Sequence, residues 1–225
     1  MKLKYNIVGS SSSGNAIIFN DYLLIDCGVV FSKLKPYLKK IKVICLTHLW
    51  LHSDHFNKTC IRKITFEKPT IKFICREWLV EELVKLNVSK KNIYVLEDRK
   101  TYDLGLFKIK PIETYHDVPN TSYLVDFKPY TLYYATDTCK LPDDECLKGL
   151  DTYLVEANYK QETLERHIKE CQEKNDEENK LFYLNRVKST HLSYEVANDF
   201  LIRNMGSNSQ FEYIHKSNLN FEGDE

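Results

Sequence analysis

No apolar run in this chain approaches the ~20 residues needed to span a bilayer. The opening Met1-Lys2-Leu3-Lys4-Tyr5-Asn6 has no long apolar stretch of the kind that drives secretion. Neither a membrane span nor export is expected. Charge of one sign is not in excess either, because 32 Lys and Arg face 32 Asp and Glu over 225 residues. A neutral chain does not advertise itself as a nucleic-acid coat or a membrane-surface binder, although a local basic groove stays open. The seven cysteines are odd in number and include no Cys-x-x-Cys pair. That pattern reads as a reduced, cytoplasmic protein, with Cys27, Cys45 and Cys75 as core thiols inside apolar runs. The stretch Ser10–Gly14 is rich in serine, but no Gly-Lys-Ser/Thr follows it. It reads as a turn joining two strands near a site rather than a phosphate-binding loop. Internal repeats and long linkers are also missing. The length suits one domain over residues 1–216 with a tail from Ser217.

What is present is a series of short β-type runs. Tyr5–Val8, Ala16–Phe19, Tyr22–Ile25, Val43–Thr47, Ile71–Cys75 and Ile93–Leu96 are strand candidates, as are Phe107–Pro111, Ser122–Asp126, Leu132–Ala135, Thr152–Val155 and Phe211–Ile214. Helices are expected over Lys33–Lys40, Thr59–Ile64, Gln161–Lys180 and Tyr194–Arg203. Another is expected over Glu77–Leu86, where Leu79, Leu83 and Leu86 share one face. The run from Glu170 to Asn179 is too polar for a core and reads as an exposed helix end or a mobile loop. Tyr123, Tyr133 and Tyr134 read as core or sheet-face aromatics. Many strands with helices in both halves predict an α/β (α+β) fold of two face-to-face sheets with helices outside.

The densest chemistry lies in Thr47-His48-Leu49-Trp50-Leu51-His52-Ser53-Asp54-His55, directly after the apolar run Ile41–Leu46. Imidazole nitrogen and carboxylate oxygen are ligands that a borderline divalent ion prefers. Further candidates each follow a strand-like run, namely Asp26, His116, Asp137 and His215. Strand ends are where distant segments can meet in one cleft. His167 lies in a charged helix and receives no role.

This order resembles the metallo-β-lactamase superfamily, whose pattern is a strand-end Asp, then His-x-His-x-Asp-His, a lone His, a lone Asp and a final His. Gly9 to Asn15, Asp26-Cys27-Gly28, Ala135-Thr136-Asp137-Thr138, Glu156-Ala157-Asn158-Tyr159 and His191-Leu192-Ser193 are similar to the small bacterial and phage YycJ/WalJ-type branch, on the phosphodiesterase side. The resemblance implies a four-layer αββα sandwich and two divalent metal ions, zinc first, with manganese or iron as alternatives. One ion would take His48, His52 and His116. The other would take Asp54, His55 and His215, and Asp137 would bridge them. Asp26 would stand behind a ligand histidine, accepting its hydrogen bond or orienting the turn. The implied reaction is hydrolysis of a nucleotide or nucleic-acid phosphodiester by metal-activated water, with Asp54 receiving a proton and a His191–Glu156 pair protonating the leaving group. Ser193 is a good helix cap, or with the helix-start amides a phosphate cradle.

The chain departs from the family at one place, where two extra residues separate His48 from His52. The loop bulges with both histidines ligating, or it turns helical and puts positions i and i+4 on one face, or His48 leaves the site. Thioester or lactone hydrolysis on the same metals, and a catalytically impaired domain, are the rival readings. Oligomeric state is not legible.

Overall fold

The computed structural model describes residues 2–49, 55–174 and 178–217. Within them, strands β1 (Tyr5–Ser11), β2 (Gly14–Phe19), β3 (Leu23–Ile25), β4 (Val43–Cys45), β5 (Lys72–Cys75) and β6 (Ile93–Val95) form one sheet in sequence order. Strands β7 (Tyr102–Asp103), β8 (Lys108–Thr114), β9 (Asn120–Asp126), β10 (Thr131–Ala135), β11 (Thr152–Glu156) and β12 (Gln210–Ile214) form the other. Each sheet is part antiparallel and part parallel. The runs β3-β4-β5-β6 and β10-β11-β12 are parallel.

The period-two alternation of a strand decides the layers. Leu23 and Ile25 point between the sheets, while Leu24 points to the helices. In β10, Leu132 and Tyr134 point inward and Tyr133 and Ala135 outward. Helices α1 (Phe31–Leu34), α2 (Lys58–Glu67) and α3 (Val80–Lys85) lie on the first sheet's outer side. From these, Leu34, Cys60, Ile61, Ile64 and Leu83 join that sheet's outer core. Helix α6 (Tyr194–Asn204) covers the second sheet through Ala197, Phe200 and Leu201. The result is the expected αββα sandwich. Helices α4 (Gln161–Lys174) and α5 (Glu178–Thr190) pack on each other through Leu164, Cys171, Leu184 and Val187.

Two capping side chains fix where helices start. The Asn57 side chain accepts from Cys60 N at 2.9 Å, and Ser193 Oγ accepts from Val196 N at 3.2 Å. Ser193 therefore acts as the α6 cap. The Ser10–Gly14 turn is the tip of the β1–β2 hairpin, as expected. Gly14 has φ +154°, and a Cβ there would overlap the Gly28 carbonyl oxygen, so only glycine lets this tip rest on the Asp26–Gly28 turn.

The two edge strands β1 and β12 come together along one side. Tyr5 OH donates to Glu212 Oε2 at 2.5 Å, His215 N donates to Ser10 Oγ at 2.9 Å, and Ser11 bridges Lys216. This seam joins the two sheets.

Several elements differ from the sequence reading. The helix expected over Lys33–Lys40 is a four-residue α1 followed by a 3-10 turn at Lys35–Tyr37, because Pro36 has no N–H to continue the ladder. Glu77–Leu86 divides into a 3-10 turn at Glu77–Leu79 and α3. The helix from Gln161 ends at Lys174, and α5 fills a stretch that had no assignment beyond Lys180. Strand β7 is only Tyr102–Asp103, too short and too polar to show as a run in the sequence. Cys27, Cys45, Cys75, Tyr123, Tyr133 and Tyr134 are buried as expected. The tail beyond Ser217 lies outside the described residues. Among those described, no helix is long and apolar enough to cross a membrane.

Candidate metal centre

Parallel strands present their carboxyl ends at the same edge of a sheet, and this topology gathers the polar residues. Asp26 follows β3, His48 follows β4, Asp137 follows β10, Glu156 ends β11 and His215 follows β12. His116 follows β8, and His191 sits between α5 and α6. Asp26, Asp137 and His215 all have left-handed backbones, with φ of 60°, 50° and 52°. Such conformations cost about 1–3 kcal/mol each and persist where the surroundings over-determine them. At each of these three positions the chain turns sharply off a strand.

Five imidazoles form a closed ring. Centroids of His48 and His55 are 4.4 Å apart, His55 and His215 5.6 Å, His215 and His191 5.4 Å, His191 and His116 5.4 Å, and His116 and His48 5.3 Å. Asp137 reaches into this ring. Its Oδ2 is 2.6 Å from His55 Nε2, and its Oδ1 is 3.3 Å from His215 Nε2 and 3.5 Å from His191 Nδ1. Ligand atoms of His48, His116 and Asp137 lie within 4.8 Å of one another, and so do those of Asp137, Glu156, His191 and His215.

Asp26 supports the ring from behind. Its Oδ1 accepts from Thr47 N and Thr47 Oγ1, both at 2.9 Å. Its Oδ2 is 2.7 Å from His55 Nδ1 and accepts from Tyr134 OH at 3.2 Å. Thr47 has one hydroxyl proton and directs it at Asp26. Thr47 Oγ1 therefore accepts from His48 Nδ1, 3.0 Å away. That tautomer leaves a lone pair on His48 Nε2, which is buried and has no hydrogen-bond partner among the described residues. A buried imidazole acceptor without a donor is what a cation site requires.

The electrostatics follow from burial and neighbours. Burial, reinforced by His55, holds His48 well below its ordinary pKa, so it is neutral and able to ligate. Burial would also depress His55, but Asp137 and Asp26 on its two nitrogens outweigh it and hold the ring charged. Burial opposes ionisation of Asp137, yet His215, His55 and His191 together keep its carboxyl well below the usual range. Burial lowers His215. His191 Nδ1 lies 2.6 Å from Glu156 Oε1, while Glu156 Oε2 accepts from Thr138 N at 2.9 Å. Burial works against a charge on His191, but the Glu156 carboxylate raises it to about 9.

Of the residues singled out from sequence, the fold brings together Asp26, His48, His55, His116, Asp137, Glu156, His191 and His215. His52 and Asp54 lie outside the described residues. The donor set suits a divalent ion of the zinc type, with imidazole nitrogens, His48 among them neutral, beside the ionised Asp137 carboxylate. Three supporting residues went unread. Asn15 Nδ2 lies 2.8 Å from His55 Nε2 and 3.0 Å from His215 Nδ1, and donates to Ser11 O at 2.9 Å. Thr47 and Tyr134 hold Asp26. The signal for Asn15 was a polar residue directly after the glycine that the hairpin tip requires.

A cavity of about 340 Å³ opens onto this cluster, lined by His116, Asp137, His191 and His215 and by Phe182, Tyr183 and Arg186 of α5. Larger concavities of about 470 and 790 Å³ lie elsewhere and contain no histidine. Convergent chemistry, not size, marks the smaller one as the site.

Comparison with solved structures shows the same fold. The metallo-β-lactamase fold protein YhfI from Bacillus subtilis superposes with a TM-score of 0.68 at 20% identity, covering 96% of this chain and 86% of that one. The short form of human tRNase Z gives 0.67 at 15% identity, covering 95% and 93%. A diphosphatase of the PhnP family gives 0.67 at 17% identity, covering 96% and 87%. No curated protein matches by sequence. The family model described as the beta-lactamase superfamily domain matches residues 21–197, and the chain belongs to that superfamily.

Proposed function

We propose that this protein is a metal-dependent hydrolase of nucleotide or nucleic-acid phosphodiesters, of the YycJ/WalJ-type branch and cytoplasmic, consistent with its scattered thiols. The observation that carries the reading is the His191–Glu156 pair, 2.6 Å apart and beside Asp137 at the mouth of the histidine ring. Breaking a phosphodiester expels an alkoxide that needs a proton, and a charged imidazole at the cavity wall provides one. Glu156 is fixed by the Thr138 amide and holds Nδ1, which leaves Nε2 of His191 to carry the transferred proton. Structural neighbours named as a tRNase and a diphosphatase support a phosphorus substrate.

His48 and His116 with Asp137 would hold one divalent ion, zinc first, and His55 and His215 with Asp137 a second. His52 and Asp54 are assigned to these two sets by the family resemblance. Bound metal would supply Lewis-acid activation of water and neutralise charge on the phosphoryl oxygens. Asp54 is proposed to receive the proton of the attacking water. Asp26 fixes the His55 ring through Nδ1, which presents Nε2 to the site.

The test is metal analysis of the reconstituted protein, followed by a cleavage screen over nucleotides, oligonucleotides and an ester panel. His55→Ala and Asp137→Ala should lose metal and turnover while far-UV dichroism stays native. His191→Ala should keep its metal and lose turnover. Fewer than one ion per chain after reconstitution, or turnover retained in the first pair, would refute the assignment. Preferential cleavage of thioesters or lactones would move the substrate from phosphorus to carbonyl.

A further inference from the structure

Helix α5 carries two apolar faces. Leu181, Leu184 and Val187 pack against α4. Phe182 and Tyr183 do not join that core; they are 72% and 48% exposed, and both line the cavity that holds His116, Asp137, His191 and His215. Large aromatics left in water at the rim of a polar site form a surface for a flat, apolar partner.

The helix is also fixed in register over the histidines. Arg186 Nε donates to Asp117 Oδ2 at 2.7 Å, and the Thr190 carbonyl lies 3.1 Å from His116 Nδ1. Asp117 in turn lies 3.0 Å from His116 Nε2. The aromatic pair is therefore held at a set place relative to His116 and His191, beside the Arg186–Asp117 ion pair.

We propose that α5 is the substrate-recognition element, with Phe182 and Tyr183 forming a platform that stacks the base of a single nucleotide whose phosphate lies at His191. This rests on the phosphodiesterase reading and narrows its substrate class. Every nucleobase has a π-face, so such a platform tolerates sequence. A cavity of about 340 Å³ is at the small end of ligand sites and fits one nucleotide, not a duplex. Arg186 is engaged with Asp117 through Nε and Nη2, both at 2.7 Å, so it fixes the helix, and the positive charge that suits a phosphate is that of His191.

The test uses the full-length, metal-reconstituted protein and the double variant Phe182→Ala/Tyr183→Ala, whose side chains are exposed and whose fold is checked by far-UV dichroism. Calorimetry with thymidine monophosphate should show Kd rising by about 5- to 150-fold in the variant, the range expected for loss of base stacking. Thymidine 5′-(p-nitrophenyl phosphate) and ethyl p-nitrophenyl phosphate share a leaving group and differ only in the nucleoside. The wild-type kcat/KM preference for the first should collapse in the variant and return in Phe182→Trp. An unchanged Kd, no wild-type binding, or an unchanged preference overturns the proposal. A dimer that the double variant dissociates in sedimentation also overturns it, since a second copy would then cover this face. Thymidine monophosphate binding that depends on the platform, with neither ester cleaved, would support the platform and refute the hydrolase reading.

Discussion

Asp26→Asn isolates what the buried carboxylate does for the metal centre. The two side chains have the same shape, and asparagine tolerates the left-handed backbone seen at this position. The amide oxygen of the variant can keep the bonds from Thr47 N and Thr47 Oγ1. The bonds made by Oδ2 of Asp26, from His55 Nδ1 and Tyr134 OH, are lost or reversed. A hydrogen bond to a charged group contributes about 1.5–3 kcal/mol, so losing two with partial recovery by the new amide costs about 3 kcal/mol. The functional consequence falls on the metal site and is of similar size. The introduced amide nitrogen donates to His55 Nδ1, and the imidazole then carries its proton on Nε2, the nitrogen assigned to metal. Metal affinity should fall by about 10- to 100-fold. Urea unfolding gives the stability change, competition against a chelator dye the affinity, and ¹⁵N imidazole shifts the protonation of each His55 ring nitrogen. An Asp26→Asn variant that binds metal like the wild type, with the proton still on His55 Nδ1, would refute the argument.

Other substitutions test separate links. In the metal-free protein His191 should titrate near 9, and Glu156→Gln should lower it, because burial remains and only Asp137 is left to oppose it. The pair's contribution to stability is fully present below the unfolded pKa near 6.5 and is lost as pH rises through about 9. The gap between wild type and Glu156→Gln in urea unfolding should therefore shrink from about pH 6 to about pH 9.5, and a constant gap would contradict the pairing. Ser193→Ala should cost about 0.5–2 kcal/mol in thermal unfolding and leave metal content unchanged, as befits a helix cap. Gly14→Ala should lower both melting temperature and metal content, since a Cβ there displaces the Gly28 turn and the adjoining Asn15; a native melting profile would show that the hairpin tip can shift freely.

The sheets were readable because their strands are short apolar runs bounded by turn residues, as expected where both faces of a sheet are covered. Leu23, Leu24 and Ile25 are such a run, and only the packed layers show that Leu23 and Ile25 face inward and Leu24 outward. The histidines and aspartates were readable because each directly follows such a run. Helix α5 was not, since its two apolar faces blur any single periodicity and it follows a strongly polar stretch. The Asp26 cradle was only half legible. Its position after β3 was visible, but Tyr134 reads as an inner-face aromatic, and only the packed sandwich brings its hydroxyl within 3.2 Å of Asp26. Asn15 was hidden for the same reason, being 200 residues away in sequence from His215.

The junction of β1 with β12 gives this molecule an unusual weak point. Rims of sheets are normally the first parts to fray, and elsewhere such fraying costs a few ladder bonds and nothing more. Here His215 and Asn15 sit on opposite lips of the joint, so a parting of the two margins separates them and uncovers only the edge of the inter-sheet core at Tyr5, Ile7 and Ile214. A covalent staple across the two margins should therefore protect the histidine cluster on heating more than it protects the layers away from the joint.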